Sequence, residues 1–214
     1  MSGIPSASIP LFPLNVVLFP GGALPLRLFE QRYLDMAKAC LRVESVFGVC
    51  LIREGREVGA PAVPEAVGCT ARIEQWDMQQ LGVLTVLARG EQRFRVLRRT
   101  VEPNGLARAE VELLPADTDV LVPEDLLPAA ELLRNAFQQF TPSEPAGAAG
   151  QSATERQAPE MRFDSCAWVS ARLTEMLPLP LAVKQQLLEV PDGKTRLVRL
   201  AALLSDSGLL GKAT

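Results

Sequence analysis

The chain opens on an apolar run broken by proline at short intervals. Ile9-Pro-Leu-Phe-Pro-Leu-Asn-Val-Val-Leu-Phe19 is rich in β-formers, and its prolines exclude a helix. It predicts an extended strand buried on both sides, or an edge strand that tolerates proline. Pro20-Gly21-Gly22 predicts a turn, and Leu24 to Phe29 a second strand. From Glu30 to Leu41 the period becomes helical. Phe29, Tyr33, Met36, Ala37, Cys40 and Leu41 fall on one face, with Glu30, Gln31, Asp35 and Lys38 mostly opposite. Strand signals return at Val46 to Ile52, Val67 to Trp76, Val83 to Ala88, Arg93 to Leu97 and Ala107 to Leu113, punctuated by Gly59, Gly68, Gly82, Gly90 and Gly105. Short strands at this spacing with one inserted helix predict a small mixed barrel.

The pattern changes after Pro115. Pro123 followed by Glu124 and Asp125 marks a helix start, and Leu126, Ala130, Leu133, Phe137 and Phe140 form one apolar stripe. Residues 141–160 have the composition of a flexible linker. A second helix is predicted from Phe163 to Leu177, with Phe163, Ala167, Leu173 and Leu177 on one side. A shorter one follows Pro180. Asp192 is placed to cap the last helix, whose core face is Leu197, Leu200, Ala201 and Leu204. The expected fold class is therefore α+β: a mixed β pseudo-barrel with one inserted helix over residues 1–120, then a helical subdomain over 121–214.

Composition narrows the chemistry. Of 214 residues, 48% are hydrophobic and 22% charged, enough apolar surface for a packed core. The net charge of −3 argues against a general nucleic-acid binder. Histidine is absent, which excludes imidazole-based triads and histidine-ligated zinc. Cys40, Cys50, Cys69 and Cys166 form no C-x-x-C pair and lie in apolar stretches, so they read as buried free thiols. Neither a metal nor a cofactor is expected. Residues 1–26 carry no charge, but their prolines and glycines interrupt any spanning helix, and no basic residue precedes the apolar part as a signal peptide requires. A soluble, cytoplasmic chain with no membrane partner is expected.

One stretch is specific. I-P-L-F-P-L-N-V-V-L-F-P-G-G-A-L-P-L-R-L-F-E-Q-R-Y resembles the N-terminal substrate-binding domain of Lon proteases, especially the stand-alone bacterial version. The resemblance continues through Phe47-Gly48-Val49, Glu57-Val58-Gly59, Val67 to Ile73, Gly90 to Val96 and Ala109-Glu110-Val111. It reaches the tail at Lys184 to Glu189 and Arg196-Leu197. Two loops depart from the family pattern: Asp77 to Gly82, where the family often has a Pro-Asp-Gly hairpin, and 141–160. The resemblance implies a barrel like that of PUA domains followed by a helical bundle. It also implies a non-catalytic module that recognises unfolded or flexible polypeptide, working with a protease or chaperone. The sequence has no G-x-x-x-x-G-K-[ST] loop to cradle nucleotide phosphates, and its four lysines form no Ser/Lys dyad.

The candidate peptide-binding surface is Phe12, Leu14, Phe19, Phe29, Glu30, Arg32 and Tyr33, with Pro13, Pro20 and Pro25 alongside: aromatic pockets beside a strand edge that offers main-chain partners. Each apolar member also has an ordinary place in a core, and a salt bridge from Glu30 or Arg32 to the barrel is the plainer role for those two. An exposed groove leaves room for self-association. Arg93, Arg95, Arg98 and Arg99, with Arg89, form a basic cluster that is the alternative, RNA-binding surface of a PUA-like fold. Against it stands a solvated strand face paired with Glu110 or Glu112. Trp76 and Trp168 are read as partly buried core.

Overall fold

The computed structural model describes residues 7–140 and 161–208. The expected linker at 141–160 lies outside the described residues.

Seven strands precede the helical tail. β1 (Ala7–Leu14) runs antiparallel to β7 (Ala107–Leu113) and parallel to β3 (Phe47–Glu54). β3 pairs with β5 (Val67–Gln80), β5 with β6 (Val83–Val101), and β6 with β7. The order β1-β7-β6-β5-β3 returns to β1, so five strands close a barrel without a free edge. Two strands stand off this ring. β4 (Val63–Pro64) adds briefly to β3, and β2 (Ala23–Leu28) pairs only with the first half of β6. α1 (Gln31–Val43) joins β2 to β3.

The strand predicted through Phe19 stops at Leu14, and residues 15–22 form a connector to β2. The two strands expected either side of Gly90 are one 19-residue strand, β6. Gly90 does not break it. The connector crosses so close that a Cβ at Gly90 would lie 2.3 Å from the carbonyl oxygen of Phe19. The glycine is there for backbone approach rather than for a turn. β5 likewise continues to Gln80, and only Leu81-Gly82, with φ +82° at the glycine, turns the hairpin.

A 3-10 turn (Glu124–Leu126) leads into α2 (Leu127–Phe140), α3 (Cys166–Met176), α4 (Leu181–Glu189) and α5 (Gly193–Asp206). Asp192 caps α5 as its position predicts, its Oδ1 accepting from the Thr195 N–H at 2.8 Å. The helices do not build a core of their own. Leu133, Leu173, Leu197, Leu200 and Leu204 pack with Val17, Phe19, Leu51 and Val67 of the barrel and its connector. The other side of the barrel is filled by Phe12, Tyr33, Phe47 and the β2 leucines, with Phe12 and Tyr33 rings 4.2 Å apart. All four cysteines are free and buried. Trp168 packs with Phe137 and Phe163 as half-buried core. Trp76 is a correction. It is 59% exposed, because β3 pairs with β5 only as far as Ala71 and the stretch of β5 that carries Trp76 is paired with β6 alone. No helix among the described residues is long and apolar enough to cross a membrane.

Candidate functional site: an open strand edge beside an apolar cavity

β2 alternates strictly. Leu24, Leu26 and Leu28 point into the core, and Ala23, Pro25 and Arg27 face out. The peptide groups alternate as well. The Gly22 carbonyl accepts from the Gly90 N–H at 2.9 Å, which assigns the even-numbered peptide groups to β6. Those of Ala23, Pro25 and Arg27 then lie on the outer edge. Proline at 25 agrees, since a residue without an N–H is tolerated in a strand where no ladder bond is required.

Beside this edge lies a cavity of about 180 Å³. It is lined by Phe12 and Leu14 of β1, Pro25 to Leu28 of β2, Phe29, Glu30 and Tyr33 around the start of α1, and Glu57 and Val58 of the loop after β3. Phe29 was expected on the buried face of α1. It precedes the helix instead and is 57% exposed at the mouth. Tyr33 is only 7% exposed, and burial, more than any neighbouring charge, raises its hydroxyl pKa. Arg32 is buried. Its Nη2 pairs with Glu30 at 2.9 Å, its Nη1 donates to the Gly105 carbonyl at 3.1 Å, and its guanidinium lies 4.7 Å from the Tyr33 ring centre. The pair Glu30–Arg32 therefore ties the start of α1 to the β6–β7 turn.

Of the seven residues singled out in the sequence, five meet around this cavity: Phe12, Leu14, Phe29, Glu30 and Tyr33. Arg32 stands behind Tyr33. Phe19 does not take part. It is completely buried against the helices, with the Arg196 guanidinium 5.5 Å from its ring centre. Sequence reasoning missed Glu57, Val58 and Arg27 as lining residues. Glu57 is carried by the loop between Gly55 and Gly59, both at positive φ, and its Oε1 accepts from the Asn15 N–H at 2.6 Å. Two glycines around an acidic residue are the only local signal of that fold-back.

The arginine cluster is dispersed. Arg93 does not share a solvated face with Arg95. It is 3% exposed under the helical tail, bonded to Asp117 and to the carbonyls of Leu188, Val190 and Pro191. Burial lowers its pKa, opposed by Asp117. Arg95 pairs with Glu112, and Arg98 reaches Glu110 at 4.0 Å. Arg99 donates to the Ala62 carbonyl and Arg89 pairs with Glu74. Each of these cations has a local partner, so the cluster does not form one basic face, and the RNA-binding alternative is not favoured. Among the described residues, no group of three or more Cys, Asp or Glu side chains is placed to hold a metal ion.

Residues 8–206 match the family described as the ATP-dependent protease La (LON) substrate-binding domain. The chain belongs to this family. The crystal structure of a Lon N-terminal domain protein from Xanthomonas campestris superposes on the LON domain described here with a TM-score of 0.73. It is 37% identical in sequence, and the match covers 92% of this chain and 98% of that one. The N-terminal domain of the Mycobacterium avium complex Lon protease shares the fold, with a TM-score of 0.59 at 20% identity over 94% of this chain and 99% of that one. The Lon protease of Anaeromyxobacter dehalogenans (strain 2CP-C) is 30% identical over 203 residues, which is 93% of this chain and 23% of the protease. Protein cereblon of Gallus gallus is 33% identical over 111 residues, 50% of this chain and 24% of cereblon. The chain thus spans about a quarter of the length of these curated relatives. The expected α+β architecture, barrel first and helices after, is the architecture of these Lon N-terminal domains.

Proposed function

We propose that this LON domain binds extended, apolar segments of unfolded polypeptide as an added strand on the outer edge of β2, and catalyses no reaction itself. The observation that carries the reading is that β2 is paired on one side only while its other edge runs beside an apolar cavity. Main-chain groups of Ala23, Pro25 and Arg27 supply the affinity common to any sequence. The cavity supplies a pocket for alternate side chains of the guest. The family's description as a substrate-binding domain of an ATP-dependent protease supports this role, and the proposed working partner is a protease or chaperone. Four buried, unpaired thiols suit a reducing compartment, in keeping with the cytoplasm.

Fluorescence anisotropy with labelled fragments of an unfolded protein such as casein tests the reading. Saturable binding with weak salt dependence is the expected result. Affinity that collapses with salt, or no binding, overturns it. A second copy competes for the same edge, and sedimentation at rising concentration identifies it: a dimer that peptide does not dissociate counts against the proposal.

A further inference from the structure

Two polar groups that line the cavity have bonding capacity to spare. The Tyr33 hydroxyl makes no hydrogen bond to any described residue, although the side chain is more than nine-tenths buried and lines the cavity. The hydroxyl oxygen is not sealed from solvent: it opens on the cavity and is free to accept a bond from a ligand group there. Glu57 lines the same cavity. One of its oxygens accepts from Asn15, and the other has no partner among the described residues. Three charged groups act on Tyr33: Arg32, Glu30 and Glu57. Glu30 and Arg32 answer each other at 2.9 Å, and Glu57 makes no ion pair with a described residue. Arg27 also lines the cavity, from the strand edge, and its long side chain makes no ion pair with a described residue.

Resting on the strand-edge reading above, we infer that this cavity selects a lysine or arginine side chain from the bound segment. The aliphatic stem lies along Phe12, Leu14 and Leu28, and the cation reaches the Glu57 carboxylate and the Tyr33 oxygen. Long basic side chains combine an apolar stem with a charged tip in this way, and the hydrogen bonds at the tip are charge-assisted. The volume suits one such side chain: about 180 Å³ is roughly six times the share of a water molecule in the liquid. An acidic side chain meets Glu57 and Glu30. A purely apolar one fills the walls and offers the Glu57 carboxylate and the Tyr33 oxygen no donor.

The experiment uses one extended peptide, acetylated and amidated, whose central residue is lysine, arginine, norleucine or glutamate. Anisotropy is measured on the wild type, Glu57→Gln and Tyr33→Phe. Glu57→Gln keeps a carbonyl to accept from Asn15, and thermal melts check that both variants fold. The lysine and arginine peptides bind the wild type about tenfold tighter than norleucine, the effect of one charged hydrogen bond. They bind tighter still than glutamate. Glu57→Gln removes most of this preference and leaves norleucine affinity unchanged, and Tyr33→Phe reduces it. Equal affinities for all four peptides, or a preference that survives Glu57→Gln, overturn the selectivity while the strand-edge reading stands. Failure of every peptide to bind overturns both.

Discussion

Arg93 of β6 and Asp117, on the segment leaving β7, form an ion pair at 2.8 Å in which the arginine is almost fully buried. The second oxygen of Asp117 takes Arg196 of α5, also at 2.8 Å. One carboxylate thus serves two buried guanidiniums, and both arginines reach on to carbonyls between Leu187, in the last turn of α4, and Pro191, in the α4–α5 connector. This is the polar seam between barrel and helices. Removing the carboxylate that both arginines share strands two buried cations. Asp117→Ala is expected to cost about 3–5 kcal/mol in urea unfolding. Glu110→Ala, which breaks the exposed pair with Arg98, costs about 0–1 kcal/mol. Equal costs would contradict the assignment.

The contrast between Arg93 and Arg95 shows what was legible in the sequence. Alternation assigns Arg93 and Arg95 to one side of the strand, and Glu112 answers Arg95 as the pattern suggests. Nothing local in the strand tells that a helical connector nearly a hundred residues later covers Arg93. Phe19 fails for the same reason: its partner, Arg196, lies in the last helix. Helix faces and the β2 alternation were readable because each follows from a local period. Phe12, Leu14, Phe29, Glu30 and Tyr33 meet because β1, β2 and α1 are consecutive elements. Glu57 was hidden because it arrives from a loop with no period to read.

The connector from β1 to β2 is held by α3. Glu175 Oε1 accepts from the Phe19 N–H at 3.1 Å, and Arg172 pairs with Glu175 while donating to the Pro20 carbonyl. Burial is the main influence on Glu175 and raises its carboxyl pKa, opposed by Arg172 and the Phe19 N–H. The folded chain therefore holds this proton more tightly than the unfolded chain. The stability it contributes is complete below the unfolded pKa and is lost as pH rises through the folded value. Glu175→Gln lacks this titration. The stability of wild type relative to Glu175→Gln is expected to fall between about pH 4 and about pH 7, read by denaturant unfolding at both. A rise over that window would contradict the assignment.

Thiol chemistry reports on the packing directly. Burial pushes the Cys50 thiol up to about 12 and raises those of Cys40, Cys69 and Cys166. Thiolate is the reactive form, and none of the four is accessible. A disulfide reagent at mildly alkaline pH is expected to find no fast-reacting thiol in the native chain and all four in guanidinium. Fast native labelling would locate an opening of the core at the residue modified.

Gly90 joins the fold to the proposed site. Its N–H donates to Gly22 and its carbonyl accepts from Gly21, at 2.9 and 2.7 Å, so it anchors the turn that starts β2. In Gly90→Ala the new methyl meets the Phe19 carbonyl, a backbone atom that cannot swing aside. The expected cost is about 1–3 kcal/mol, as for other overpacked sites. Displacement of the turn should also weaken peptide binding, so the variant is expected to lose both. Unchanged stability would show that the connector shifts freely.

The strand edge itself is tested by a pair of substitutions that differ in one main-chain donor. Arg27 lies on the outer edge of β2, its peptide N–H directed away from β6 by the same alternation that admits Pro25. Arg27→Pro deletes that N–H while leaving the bonds of Leu26 and Leu28 to β6 in place, and proline is tolerated at such positions. The loss of one main-chain hydrogen bond to a guest strand predicts peptide affinity weaker by about two- to tenfold. Arg27→Ala keeps the N–H and removes the same charge, which separates the backbone contribution from the side chain's. If β2 recruits an extended guest, proline weakens binding well beyond alanine while the two variants unfold within about 1 kcal/mol of each other. If the guest instead enters by its side chains alone, the two variants bind alike, and the outer edge of β2 is not where the polypeptide pairs.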